Sequence, residues 1–225
     1  MLELREKEIL LTLEKIKSCE FVIIGGYAVN TYTQPRFSVD CDIVVKNKEE
    51  ALKIKQLLMK EGYAQKEVNL NIPYASDFLC MIKRVDDFSV PFDIMIGSVI
   101  DRNTKSRFMA ALIFENSEIK KLKGKINPIE IELKIAKPEI LMIMKLAASR
   151  TSDLRDIFML LEGNIELERC LLMIKEYNLK ASFEKFREFV NSKSFKDNLH
   201  GVFGKIDEKV FNKILRKINN IVLLE

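Results

Sequence analysis

The chain contains few of the residues that most often bind zinc or form disulfide bonds. It has one histidine, His200, and its cysteines are scattered without a CxxC pair: Cys19, Cys41, Cys80 and Cys170. This spacing argues against a zinc site and a disulfide framework, so we expect reduced thiols and a cytoplasmic protein. The first residues carry acids throughout, unlike an export signal, and no apolar run reaches the roughly 20 residues of a membrane span. We therefore expect no membrane partner.

The charge of the chain is nearly balanced but unevenly distributed. The formal net charge is +4, with −2 on residues 1–100 and +6 on residues 101–225. The basic half could face a polyanion, or it could consist of ordinary solvated helix faces. A hydrophobic fraction of 48% with 31% charged residues is typical of a globular protein that buries a core.

Hydrophobic spacing predicts an α+β fold. Apolar runs predict strands over 21–24, 39–45, 64–69, 77–84, 89–96, 107–114 and 129–135. Helical spacing predicts helices over 2–17, 27–33, 47–62, 138–150, 153–162, 165–177, 181–191 and 206–223. Because only helices are predicted from Pro138 onward, we expect an α/β domain over 1–136 and a helical domain over 137–225.

Gly25 and Gly26 lie between the first predicted strand and a short helix. Glycines at the start of a helix allow a phosphate to approach free backbone N–H groups, and the helix dipole favours the anion. A tight turn alone would also require such a pair. The glycines therefore indicate a phosphate site only together with further motifs.

Asp40 and Asp42 lie in the predicted strand VDCDIVV. Side chains two residues apart share one face of a strand, so both carboxylates and Ser38 should point the same way. Adjacent carboxylates repel each other unless a cation lies between them, and hard divalent cations such as Mg²⁺ prefer oxygen ligands. A solvated acidic strand end is the alternative interpretation.

Asp93 lies inside a second apolar segment, VPFDIMI, where an unpaired buried carboxylate is costly. A neighbouring strand could bring it beside Asp40 and Asp42, and three carboxylates can hold two metal ions. Asp93 could also accept the proton of an attacking hydroxyl.

A fourth motif, KLAASR, begins at Lys145. Lys145, Ser149 and Asp156 recur at helical spacing and could present a cation to a triphosphate. The alternative is a salt-bridge network among Arg150, Asp153, Arg155 and Asp156.

Residues 119–125, IKKLKGK, form the densest basic segment of the chain. Such a segment could bind the phosphate backbone of RNA. A lysine-rich hairpin edge that discourages pairing between sheets is the alternative.

Together these motifs resemble the DNA polymerase β-type nucleotidyltransferase superfamily, most closely its AbiEii-type, MenT-like toxin branch. The resemblance covers about residues 20–160 and rests on four segments in the family's order: GGYA, RFSVDCD, FDI, and KLAA with Arg150, Arg155 and Asp156. It implies a mixed-sheet nucleotidyltransferase fold followed by a C-terminal α-helical region.

The resemblance also implies a role for each matching residue. Asp40 and Asp42 would be metal ligands, and Asp93 would be the third carboxylate around two Mg²⁺ or Mn²⁺ ions. The NTP would be bound by Gly25, Gly26, Arg36, Ser38, Lys145 and Arg150. Tyr27 follows the glycines where many members of the superfamily carry serine, which predicts no phosphate-contacting hydroxyl at that position.

The implied activity is transfer of an NMP from an NTP to a hydroxyl acceptor, either an RNA 3′ end, such as that of tRNA, or a protein. The branch includes toxins of toxin–antitoxin and abortive-infection systems, so an antitoxin protein is a further expected partner. Two alternatives remain open: a non-catalytic nucleotide- or RNA-binding module on the same fold, and a divalent-metal phosphohydrolase. The presence of all three aspartates favours the enzyme, because a binding module has no need of costly adjacent carboxylates.

Overall fold

A computed structural model describes residues 1–66 and 77–223 of the chain. It divides into two compact units. The first comprises residues 1–31, 35–100 and 107–137, and the second comprises residues 32–34, 101–106 and 138–225. The domain bounds 1–136 and 137–225 remain a prediction.

The first unit contains a mixed β-sheet. The strands are β1 (Val22–Ile23), β2 (Cys41–Val45), β3 (Ala64–Lys66), β4 (Phe78–Val85), β5 (Phe88–Ile96), β6 (Ser98–Ile100), β7 (Arg107–Met109), β8 (Ser117–Lys123) and β9 (Glu130–Ala136). Within the described residues, seven of them form one sheet in the order β3-β4-β5-β2-β1-β9-β8, and β6 pairs with β7. β2 pairs with β5 and β1 with β9 in parallel, whereas the other pairs are antiparallel. The predicted α+β class with a mixed sheet is confirmed.

Among the described residues, four helices lie in this unit, apart from Tyr32 at the end of the second: α1 (Leu2–Ile16), α2 (Gly25–Tyr32), α3 (Lys48–Lys60) and α4 (Ala110–Glu115). In α1, Ile9, Leu13 and Ile16 recur at helical spacing and are fully buried, which gives the helix one apolar face. α3 begins where expected, because the side chain of Asn47 accepts a hydrogen bond from the backbone N–H of Glu50 at 3.0 Å.

One predicted strand is partly wrong. Residues 107–109 are extended, but 110–115 form α4 instead of continuing the strand. The apolar run misled because its length suits either structure; Ala110, Ile113 and Phe114 are buried at helical spacing. Residues 67–69 of the strand predicted over 64–69 lie outside the described part of the chain.

The second unit is helical in the part that the structure describes. Its helices are α5 (Pro138–Ala148), α6 (Thr151–Leu160), α7 (Leu167–Glu176), α8 (Lys180–Val190), α9 (Phe195–Phe203) and α10 (Glu208–Asn219). The rings of Phe158, Phe195 and Phe211 cluster with centroids 5.0 to 6.1 Å apart. α9 was not predicted, although the spacing of Phe195, Leu199 and Phe203, all buried, indicates a helix. Within residues 1–66 and 77–223, no helix is both long and apolar enough to cross a membrane.

Candidate active site

Three aspartates converge at the centre of the mixed sheet. Asp42 on β2 is the direct partner of Asp93 on the parallel strand β5, so their side chains lie on the same face. Asp40 lies one residue before β2. One carboxylate oxygen of each aspartate lies within 4.8 Å of those of the other two. All three residues are partly exposed, so a ligand can reach the cluster.

Gly25 brings the N-terminus of α2 against this cluster. Its φ of 67° lies in the left-handed region, which side chains rarely adopt. A Cβ atom at this position would lie 2.0 Å from Oδ2 of Asp42, and one on Gly26 would lie 2.2 Å from Oγ of Ser38. Gly25 therefore allows the helix terminus to lie close to the Asp42 carboxylate, and Gly26 allows it to lie close to the Ser38 hydroxyl.

A buried asparagine holds the loop that follows α2. Asn30 is 3% exposed, and its amide donates to the carbonyl of Arg36 at 2.7 Å and accepts from the Arg36 N–H at 3.1 Å. Within the loop, the Arg36 guanidinium donates to the carbonyl of Phe37 at 3.0 Å. The loop ends at Ser38, whose hydroxyl donates to Oδ1 of Asp40 at 3.4 Å. Asn30 thus anchors the backbone two residues before Ser38, a contact that the sequence spacing does not predict.

Tyr27 directs its hydroxyl into the protein interior. The residue is 1% exposed, and its hydroxyl has no hydrogen-bond partner among the described residues. Burial raises the pKa of the phenol well above its usual range, and the charges of Cys41, Glu6 and Asp40 add to this shift. Tyr27 therefore offers no hydroxyl at the N-terminus of α2. The hydroxyl that lies there, next to Gly26, belongs to Ser38.

Cys80 lies next to Asp93 on the other side of β5. The two residues are partners in the antiparallel pairing of β4 with β5. Burial, followed by the charge of Asp93 and a hydrogen bond with it, raises the pKa of the Cys80 thiol to about 12. The thiol therefore stays protonated at neutral pH and can donate to Asp93. Sequence spacing could not identify this neighbour, because it depends on strand pairing.

Lys145 and Arg150 belong to the second unit, where both form ion pairs. Lys145 is 7% exposed, and its Nζ lies 3.1 Å from Oδ1 of Asp153 and 2.7 Å from Oδ2 of Asp156. Arg150 contacts Oδ2 of Asp153 at 2.6 Å through Nε. A salt-bridge network is thus present, but its centre is Lys145, which the predicted network of arginines and aspartates did not include. Arg155, expected in that network, instead donates to the carbonyl of Asn198 at 3.5 Å. The nucleotide-binding roles of Lys145 and Arg150 remain predictions.

The cluster has the chemistry of a divalent-cation site. Carboxylate oxygens are the ligands that Mg²⁺ and Mn²⁺ prefer, and three of them within 4.8 Å would repel one another without a cation. Free N–H groups at the start of a helix favour an anion such as phosphate. The residues present thus fit a metal–phosphate complex held between the aspartates and α2.

Comparisons with known proteins give structural likenesses and no sequence relative. No protein-family model and no curated protein matches the chain. A candidate nucleotidyltransferase from H. pylori is similar with a TM-score of 0.47 and 13% identity, over 96% of this chain and 95% of its own. A candidate nucleotidyltransferase from Thermotoga maritima is similar with a TM-score of 0.45 and 15% identity, over 65% of this chain and 88% of its own. These likenesses are too low to assign a function, and the AbiEii-type branch remains a prediction.

Proposed function

We propose that this protein is a divalent-metal-dependent nucleotidyltransferase that moves an NMP from an NTP to a hydroxyl acceptor. The observation that carries the proposal is the convergence of Asp40, Asp42 and Asp93 within 4.8 Å. Their position against the start of α2 adds a phosphate-binding element to a metal-binding one. A phosphohydrolase would share the carboxylates but would leave the glycine–helix element unexplained.

The positions of the side chains support the following roles. Asp40 and Asp42 would hold Mg²⁺ or Mn²⁺ with Asp93 as the third ligand. When bound, two such ions activate an attacking oxygen and stabilise the leaving pyrophosphate. Asp93, beside Asp42 in the register, accepts the proton of the acceptor hydroxyl as the oxygen attacks the α-phosphorus.

The nucleotide would lie at the N-terminus of α2. Backbone N–H groups next to Gly25 and Gly26 donate to phosphate oxygens, and the helix dipole favours the negative charge. The Ser38 hydroxyl and the Arg36 guanidinium both lie close to Gly26, where they can add a hydrogen bond and a positive charge. Such fixed donors stabilise charge that develops in the transition state.

The acceptor and the biological role form the finer part of the proposal. The acceptor would be an RNA 3′ end, with tRNA as one candidate, or a protein hydroxyl. The role would be that of a toxin that an antitoxin protein neutralises. Growth arrest on induced expression, abolished by Asp42→Asn, would support toxicity, whereas arrest by both proteins would contradict an enzymatic cause.

Label transfer tests the activity directly. The protein is incubated with each α-labelled NTP, Mg²⁺ or Mn²⁺, and total RNA or protein, beside Asp93→Asn and the control Asp87→Asn on the exposed β4–β5 turn. Asp93→Asn should retain NTP binding within about tenfold and lose at least about a hundredfold in transfer rate. Undiminished transfer by Asp93→Asn would refute the proposed mechanism.

The second candidate is a non-catalytic nucleotide- or RNA-binding module on the same fold. Such a module would need the phosphate-binding start of α2 but no further cation for a transition state. Lys145, which could supply that cation, is paired with Asp153 and Asp156. NTP binding by the wild type without label transfer to any RNA, protein or small hydroxyl compound would establish the module instead.

A further inference from the structure

A buried carboxylate holds the turn between β8 and β9. Glu6 of α1 is 1% exposed, and it accepts hydrogen bonds from the backbone N–H groups of Lys125 at 2.6 Å, Ile126 at 3.1 Å and Asn127 at 3.0 Å. A Cβ atom on Gly124 would lie 2.6 Å from the Glu6 carboxylate. Because a buried carboxylate is stable only when its oxygens are bonded, this network fixes the position of the turn.

Each of four lysines of this hairpin contacts another side chain, and the contacts are of two kinds. Three of them pair with glutamates of the same hairpin: Lys120 with Glu118 at 3.7 Å, and Lys121 and Lys123 with Glu130 at 3.6 and 2.8 Å. These three lie on β8, an edge strand of the sheet. This agrees with the interpretation of the segment as a lysine-rich hairpin edge that discourages pairing between sheets. Lys125, on the fixed turn, places its ammonium 5.2 Å from the centre of the Phe37 ring.

Phe37 belongs to the loop that Asn30 anchors at Arg36. It directly precedes Ser38, whose hydroxyl reaches Asp40. The ring is partly exposed and Lys125 is exposed. The loop anchored by Asn30 and the turn anchored by Glu6 therefore meet where Lys125 contacts Phe37, next to the candidate active site.

We propose that Lys125 and Phe37 form the subsite for a single-stranded RNA acceptor. The ammonium of Lys125 binds a backbone phosphate near the 3′ end, and the Phe37 ring with the exposed side chain of Val39 supplies an apolar surface for a base. The choice of an acceptor rests on the proposed function, since a 3′ hydroxyl must reach Asp93.

The chemistry of the pair favours RNA over the other candidates. A cation that binds phosphate, combined with an aromatic side chain that contacts a base, is how proteins bind single strands without reading their sequence. The phosphates of the NTP are already assigned to α2 and Ser38. A protein acceptor would bring a hydroxyl group but no phosphate for Lys125.

Binding of a short fluorescent single-stranded RNA with a free 3′ hydroxyl tests the subsite. Anisotropy titrations between about 50 and 200 mM KCl compare the full chain with Lys125→Ala, Lys125→Arg and the matched control Lys121→Ala. Lys125→Ala should weaken binding at least about threefold and reduce the slope of log affinity against log salt by about 0.7, the value for one phosphate contact on a single strand. Lys125→Arg and Lys121→Ala should stay close to the wild type, and Phe37→Leu should weaken binding without changing the slope.

Parallel titrations with NTP and Mn²⁺ separate this inference from the proposed function. RNA affinity that depends on Lys125 supports the subsite even if no label is ever transferred, an outcome that would refute only the transferase. Equal RNA binding by Lys125→Ala and Lys121→Ala would overturn the subsite. It would also be overturned if Lys125→Ala weakened NTP binding alone, or if the wild type labelled protein without binding RNA.

Discussion

Asp42 and Asp93 are direct partners in the parallel pairing of β2 with β5. Two residues 51 positions apart in the sequence are thereby brought to the same face of the sheet, where Asp40 joins them. The register of one strand pair thus decides whether these carboxylates act together.

Metal binding should require the paired aspartates. Calorimetric titration of Mn²⁺ or Mg²⁺ should show binding by the wild type and none by the Asp40→Asn/Asp42→Asn variant, because the variant lacks two of the three charged oxygen ligands. The double variant Asp86→Asn/Asp87→Asn, changed on the exposed β4–β5 turn, is the matched control. Equal heats from the two double variants would show that the cluster is not the metal site.

Asp93→Asn should stabilise the protein when divalent metal is chelated. Removing one of three carboxylates that lie within 4.8 Å of one another relieves repulsion, and about 1 kcal/mol is the expected gain. Denaturant unfolding in EDTA measures it, and added Mn²⁺ should stabilise the wild type more than the variant. Destabilisation in EDTA would mean that Asp93 makes a contact worth more than the repulsion it suffers.

Gly25→Ala should destabilise the first unit by about 2 kcal/mol or more. An L-residue in the left-handed region costs roughly 1–2 kcal/mol, and the added methyl group would lie 2.0 Å from Oδ2 of Asp42. Gly201→Ala, within α9, is the control, because its Cβ would meet no atom within 4 Å. That substitution should be neutral or stabilise by up to about 1 kcal/mol.

Lys145→Ala should lower the free energy of unfolding by about 3 kcal/mol. It would leave Asp153 and Asp156, which are 2% and 0% exposed, without their shared cation. Thermal or denaturant unfolding beside Lys193→Ala, at an exposed site, measures the effect, and NTP affinity is measured on the same samples. Unchanged stability with weakened NTP binding would instead support the role predicted from the sequence.

Cys170 should make stability depend on pH in the alkaline range. Burial, and then the charge of Glu139, raise the pKa of its thiol to about 12 from the ordinary value of 9.0. Because the folded state keeps a proton that the unfolded chain releases, this contribution is complete below about pH 9 and is lost as pH rises towards 12.

Comparison of the wild type with Cys170→Ala isolates that contribution from other groups that titrate. The difference in unfolding free energy between the two proteins should shrink by about 2 kcal/mol between roughly pH 8 and 10.5. A constant difference across this range would mean that the thiol ionises in the folded state as readily as in the unfolded chain.

The sequence could predict the parts of the site that depend on local spacing. The separation of Asp40 and Asp42, the apolar surroundings of Asp93 and the glycines before α2 all suggested an acidic, phosphate-facing cluster. The structure brings these residues together, but their catalytic roles stay predictions. Spacing failed where one local pattern suits two structures, as in residues 110–115, which form a helix.

Other features depend on contacts that only the folded chain reveals. Asn30 binds the backbone of Arg36, and backbone contacts leave little trace in residue types. Cys80 meets Asp93 through strand pairing. Lys145 in an apolar helix is compatible with a phosphate or with acids, and its burial against Asp153 and Asp156 could not be read from its spacing alone.

The contact between Glu6 and the turn at Lys125 joins residues 119 positions apart, and the ribosome synthesises Glu6 first. At ribosomal rates of about 5–20 residues per second, roughly 6–24 s pass between the emergence of the two partners. During that interval the N–H groups of the turn cannot yet donate hydrogen bonds to the Glu6 carboxylate, which must stay hydrated. α1 can therefore dock fully only as a late event of co-translational folding, after the nascent chain has delivered the hairpin.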